Sequence, residues 1–152
     1  MPVDARLKEL GLVLPEPAAP VASYVPFVQA GDILHISGQI PFDADGRLIT
    51  GTLGADLDVA AGQHAAQRCA LGLVAQMRAA LGSFGAVERV LKLGVFVAAT
   101  PAFTQHPEVA NGASDLIVAL FGDIGRHARS AVGVASLPRG VAVEVDAIVR
   151  IR

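Results

Sequence analysis

The sequence predicts an α+β domain in which two long amphipathic helices cover one face of a mixed β-sheet. Three observations predict it. The stretches 59–81 and 104–121 repeat apolar residues at spacings of three and four, and each is followed by a glycine. Runs rich in valine, isoleucine and leucine lie on both sides of these stretches. No linker, repeat or low-complexity tract divides the 152 residues, so the whole of 1–152 reads as one domain with residues 1–20 as an N-terminal arm.

In chain order, Pro2–Leu10 fits a short helix with Leu7 and Leu10 on one side and Arg6, Lys8 and Glu9 on the other. Pro15, Pro17 and Pro20 break any regular element after it. Tyr24–Gln29 and Ile33–Gln39 read as strands around an Ala30-Gly31-Asp32 turn, a hairpin signal. Asp43–Gly46 is a turn before a short run, Arg47–Thr50, which is a possible third strand. Asp56 or Asp58 can cap the first long helix. Its inner face holds Ala66, Cys69, Ala70, Leu73, Val74, Met77 and Leu81, and Gly82 takes the C-cap position. Val87–Ala99 alternates as a strand. Thr104 can cap the second helix, whose inner face is Val109, Ala113, Leu116 and Leu120. After a loop at 125–128, Arg129–Ala135 and Val141–Ile151 close the chain as two strands joined by Leu137-Pro138-Arg139-Gly140. The order is β-β-(β)-α-β-α-β-β.

Composition narrows the functional classes. Cys69 is the single cysteine, which excludes an internal disulfide and a cysteine-based zinc site. Twelve basic against fourteen acidic residues lack the surplus of a dedicated nucleic-acid binder. Mean hydropathy is high, at +0.52. The longest purely apolar runs are seven residues, whereas a spanning helix needs about 20. The charged start, Met1–Arg6, does not suit a signal peptide, so a cytoplasmic location is expected. An apolar, charge-poor small domain is expected to cover part of its surface in an oligomer.

The chemistry-bearing residues are few. If the last two strands form a hairpin, 133 faces 144 and 129 faces 148, and Arg129 and Glu144 point to one side. The side chains between them are small: Ala131, Gly133 and Ala142. A guanidinium matches a carboxylate, and a glutamate can move a proton through water. The alternative is an exposed face with two ordinary surface charges. Four residues of offset is about 13 Å along a strand, too far for one small ligand unless the side chains lean together, the register shifts or the pair comes from two subunits. His35, His64, His106 and His127 show no metal-ligand spacing. His127, two residues before Arg129, could line a pocket. Cys69 falls on the inner helix face and reads as a buried, inert thiol. Ser37-Gly38-Gln39 lets backbone approach a ligand at a strand end.

Taken together, Ser37-Gly38-Gln39-Ile40-Pro41, Asp58–Ala61, Val95–Val97, Ala128-Arg129-Ser130-Ala131-Val132, Leu137–Gly140 and Val143-Glu144-Val145 resemble the Rid/YjgF superfamily. Its members are reactive-intermediate deaminases, long labelled "endoribonuclease L-PSP". The resemblance spans about residues 20–152 and looks like a longer subgroup. It implies a chorismate-mutase-like fold and a homotrimer with a central barrel and ligand clefts between subunits. It implies hydrolysis of 2-imino acids, formed from enamines such as 2-aminoacrylate, to 2-keto acids and ammonia, with no cofactor. Arg129 would hold the substrate carboxylate and Glu144 would activate water. Tyr24, Ser37, Gly38 and Gln39 would line the cleft, with Asn111 as a further cleft residue. Where archetypal members carry a cysteine two residues after the arginine, this chain has Ala131. The rival readings are a non-catalytic trimer that binds small carboxylates, a ribonuclease, and a chorismate mutase suggested by fold alone.

Overall fold

The computed structural model describes residues 2–17, 19 and 23–152, so Pro20 of the expected arm lies outside the described residues. The elements are α1 (Val3–Glu9), β1 (Phe27–Ala30), β2 (Ile33–Gln39), α2 (Val59–Leu81), β3 (Val87–Ala98), α3 (His106–Phe121), β4 (Ala128–Val134) and β5 (Val143–Ile151). The five strands form one mixed sheet in the order β1-β2-β5-β3-β4.

The first long helix, α2, is closed at both ends by local hydrogen bonds. The Asp58 carboxylate accepts the Ala61 N–H at 2.8 Å, and Gly82, at φ 76°, closes α2 by donating its N–H to the Arg78 carbonyl. Ala65, Ala66, Cys69, Ala70, Leu73, Val74 and Met77 are buried on one side of α2, against β2 and β5. Small residues let α2 and α3 approach closely. A Cβ on Gly112 of α3 would collide with the backbone of Gln63 on α2, which cannot swing aside. Gly112→Ala therefore separates the two helices. Its helix-propensity gain of roughly 1 kcal/mol does not offset the clash, and thermal denaturation should show a loss of about 2 kcal/mol, or roughly 4–8 °C in Tm.

The short helix α1 is docked. Val3 and Leu7 are buried, Arg6 Nη1 donates to the Leu120 carbonyl at 2.9 Å, and Arg78 of α2 pairs with Asp4.

Several boundaries differ from the sequence expectations. β1 begins at Phe27, leaving Tyr24 outside it, and β4 and β5 run 128–134 and 143–151. Arg47–Thr50 forms only isolated bridges, Leu48 with Phe42 and Thr50 with Val141, not a strand. α3 begins at His106 with Gln105 as its N-cap residue and no side-chain cap, so Thr104 does not cap it; Pro107 sets the first turn instead.

The largest correction concerns the closing hairpin, which does not form. β3 lies between β4 and β5, parallel to β4 and antiparallel to β5. The physical reason is the crossover. α3 carries the chain back over one face, so β4 returns beside β3 in the same direction. Leu137–Gly140 then passes the end of β3 rather than turning a hairpin. Arg129 stands beside Leu93, whose side chain is buried, and its guanidinium bonds to α3. Glu144 stands beside Phe96, one position out of phase with the buried Val143 and Val145. Arg129 and Glu144 therefore point to opposite faces of the sheet, not to one. Their strand positions are about 10 Å apart along the strands and about 10 Å across them.

Candidate functional site

Two separate groups of polar residues result. The first sits on the face opposite the helices. Glu144, Tyr24, Pro26, Ser37, Gly38, Gln39, Ile40, Phe42, Leu48, Pro138 and Arg139 line a pocket of about 320 Å³. The register shift of β2 between Ile36 and Gln39 places Ser37-Gly38 there. Ser37 Oγ donates to the Val25 carbonyl at 2.7 Å, which ties the segment next to Tyr24 onto β2. Gln39 is 7% exposed; its carboxamide packs near Gly72 of α2 and Nε2 donates to the Ser37 carbonyl at 2.9 Å. Its side chain thus braces the segment from the helix side.

Glu144 is half-buried, and its carboxyl lies directly over Gly38. A Cβ at Gly38 would stand 2.9 Å from both Glu144 Cδ and Oε1. Burial raises the Glu144 carboxyl above the ordinary value of 4.5, and Asp146 on the same strand raises it further. No lysine or arginine among the described residues forms an ion pair with it. Gly38→Ala should push this carboxyl aside. Because a flexible side chain yields, Tm should hold within a few degrees, while any turnover that depends on Glu144 should fall on the order of 10–100-fold in kcat/KM.

Arg139 holds the left-handed conformation at φ 59°, the only non-glycine residue among those described with positive φ. The sequence marked it only as part of a turn; the structure makes it pocket lining.

The second group sits at the sheet edge, where β4 meets α3. Arg129 Nη1 donates to Asn111 Oδ1 at 2.9 Å and to Ser114 Oγ at 3.1 Å; Nη2 reaches the Pro107 carbonyl at 3.5 Å. Residues 107, 111 and 114 lie along one stripe of α3. Among the described residues nothing bonds Nε, so that donor keeps its hydrogen for a further partner. His127 joins this group: its Nε2 is 2.9 Å from Ser114 Oγ, and its Nδ1 is 2.6 Å from the Gly125 carbonyl. Asn111, named only through the resemblance, stands on Arg129 here, and Ser114 beside it was not named from the sequence. The signal available was only a polar pair three residues apart on α3, which reads as a solvated face.

The structure thus brings Tyr24, Ser37, Gly38, Gln39 and Glu144 together, and Arg129 with Asn111, but not the two sets with each other. The remaining histidines are dispersed. His35 and His64 are exposed, and His106 packs edge-on against Phe103 and abuts Gly133. Cys69 is fully buried, 3.4 Å from the Val143 carbonyl, and burial pushes its thiol up. No helix among the described residues is long and apolar enough to cross a membrane.

The family described as "YjgF/chorismate_mutase-like, putative endoribonuclease" matches residues 4–145. Protein TCP17 of Trypanosoma cruzi is 56% identical over 150 residues, 98% of this chain and 94% of that protein. The crystal structure of protein Atu1372 from Agrobacterium tumefaciens superposes with a TM-score of 0.92 at 49% identity, covering 99% of this chain and 94% of that one. E. coli TdcF with bound serine is more distant, with a TM-score of 0.64 at 25% identity over 92% and 95% of the two chains. With the mixed sheet, its helical layer and the spacing of the SGQIP and ARS segments already established, these matches show that the chain belongs to the YjgF/chorismate-mutase-like family.

Proposed function

We propose that the chain is a hydrolytic deaminase of reactive 2-imino acids of the 2-aminoacrylate type. In this reading it acts as a homotrimer whose clefts take Arg129 from one protomer and Glu144 from its neighbour. The observation that carries the reading is the pair of incomplete half-sites. A guanidinium whose Nε is unbonded among the described residues lies at one border of the sheet, and a carboxyl with a raised pKa lies in a pocket on the opposite face. Neither is a site for an imino acid alone; joined across a subunit boundary they are. Exposed apolar side chains favour such a boundary: Tyr24, Val25 and Val28 near the β1 border and Val132 on β4 are about half exposed. TdcF, which has the same fold, carries an amino acid.

The chemistry needs one anchor and one proton carrier. The Nε side of Arg129 grips the substrate carboxylate, with Asn111 and Ser114 holding the other side of the guanidinium. Glu144, ionised, takes a proton as water oxygen bonds to C2 of the iminium, and the C=N electron pair moves to nitrogen. Glu144 then returns the proton to the amine of the carbinolamine. The C–N bond breaks, ammonia leaves with the pair, and the hydroxyl proton departs to it as the 2-keto acid and ammonium form. No redox equivalent is required.

The test is release of pyruvate and ammonia from 2-aminoacrylate generated enzymatically in the assay. The expected result is an acceleration over the spontaneous rate that Arg129→Ala removes. If wild type and Arg129→Ala release both at the spontaneous rate while a carboxylate still binds, the protein is a carboxylate-binding trimer rather than a deaminase.

A further inference from the structure

The edge group contains a chain of hydrogen bonds whose direction is fixed by chemistry. The Gly125 carbonyl can only accept, so His127 Nδ1, at 2.6 Å, carries a hydrogen. In the neutral ring Nε2 is then a bare acceptor, and the Ser114 hydroxyl, 2.9 Å away, donates to it. That leaves the lone pairs of Ser114 Oγ facing Arg129 Nη1 at 3.1 Å. The second Nη1 hydrogen goes to Asn111 at 2.9 Å. Both hydrogens of Nη1 are thus engaged, the plane of the guanidinium is set, and Nε makes no hydrogen bond among the described residues.

We propose that His127 is a positioning residue: acting through Ser114, its neutral ring orients Arg129 for carboxylate capture, and protonating it releases that orientation. The inference rests on the assignment of Arg129 as the carboxylate anchor. With a proton on Nε2, ring and guanidinium would both donate to the single Ser114 oxygen, and two cations would face each other across it. The Ser114 oxygen has lone pairs for both donors, but its hydroxyl loses its acceptor and the two cations repel, and the guanidinium, tethered on a long flexible stem, yields more easily than a ring held at the Gly125 carbonyl.

Burial pushes the His127 imidazole below its usual 6.5, the Gly125 carbonyl acts in the opposite sense, and Arg129 pushes it down again. The other charges on the surrounding elements are engaged elsewhere or exposed. Asp123 pairs with Arg126 at 3.7 Å, Arg89 of β3 donates to the Arg126 carbonyl, Lys92 of β3 stands beside Ala128, and Asp115 of α3 is exposed. The ring therefore stays neutral at neutral pH, and the switch operates on the acid side.

The test is calorimetric binding of pyruvate, whose carboxylate stays ionised throughout, between pH 5.0 and 8.0. It is run in a Glu144→Gln background so that the other shifted carboxyl of the proposed cleft does not contribute. Affinity should fall by about 5-fold or more as the His127 ring takes up its proton on the acid side, the protonation being followed in the same buffers by the NMR shift of the ring. His127→Gln keeps an acceptor for the Ser114 hydroxyl but does not titrate. It should retain the neutral-pH affinity within about 2-fold and show a flat profile. His127→Phe, which offers no acceptor, should bind about 5–10-fold more weakly at every pH. In the otherwise unmodified enzyme the His127 effect should appear in KM and not in kcat. A flat profile in the His127-containing protein, or a Gln variant as weak as the Phe variant, overturns the relay while leaving Arg129 as the anchor. If pyruvate fails to bind and the wild-type enzyme shows no turnover, the deaminase reading fails first and the relay with it.

Discussion

Arg129→Ala should lower kcat/KM for 2-aminoacrylate by about 100-fold or more, because a charged two-point grip on a carboxylate is worth roughly 3 kcal/mol. The fold should survive. Arg129 is at the border strand β4, and its loss leaves Asn111 and Ser114, at exposed and half-buried positions, able to bond water. The sharper result comes from mixing. In the proposed trimer an active cleft draws Arg129 and Glu144, which lie on opposite faces of one sheet, from two chains. The Arg129→Ala and Glu144→Gln proteins should each be inactive. Unfolded together at equal amounts and refolded, they should recover about a quarter of the wild-type rate, since in a cyclic trimer one cleft in four receives both intact residues. A mixture that stays inactive would place Arg129 and Glu144 in the same chain's cleft or remove one of them from the chemistry. Sedimentation showing a monomer at micromolar concentration would end the shared-cleft reading as well.

The separation of these two residues was not legible in the sequence, and the reason is specific. Alternation along Val143–Ile151 marks a strand with one face on the core, and that pattern is the same whichever strand lies beside it. Only the α3 crossover decides that β3, not β4, is the neighbour of β5. The helices were legible because their ends are chemically marked: Asp58 accepts a backbone N–H and Gly82 adopts a positive φ. The start of α3 carries no capping side chain, and Thr104 misled for that reason. At the site, Glu144 and Arg129 stand out in sequence because nearly everything around them is uncharged. Ser114 does not, because its role depends on the His127 ring reaching it across the β4–α3 junction, and no spacing within α3 encodes that contact. Gln39 illustrates the reverse case. The SGQ segment lines the Glu144 pocket, and the Gln39 carboxamide within it also packs near Gly72 of α2 and donates to the Ser37 carbonyl.

Glu144→Gln should reduce kcat by about 10²–10⁴-fold, the range a positioned proton carrier contributes, with a much smaller change in KM. Its pH behaviour follows from the direction of the shift. The folded protein holds the Glu144 carboxyl above 4.5, through burial first and Asp146 second. A base has to be ionised, so kcat should rise with pH along a limb displaced upward from the ordinary glutamate position. Asp146→Asn removes the neighbouring negative charge and should move that limb to lower pH while leaving kcat near neutral pH unchanged. Stability runs the opposite way. A carboxyl whose pKa is raised on folding binds its proton more tightly in the native state, so its contribution diminishes as pH climbs from the unfolded value through the folded one. Glu144→Gln, which cannot ionise, should accordingly leave Tm at neutral pH equal to or above that of the wild type while kcat collapses. A lower Tm together with partial activity would mean that Glu144 braces the Gly38 segment rather than moving a proton. The two acid effects are separable in one experiment, since the Glu144 limb belongs to kcat and the His127 limb to KM. His127→Gln should flatten the second and leave the first in place.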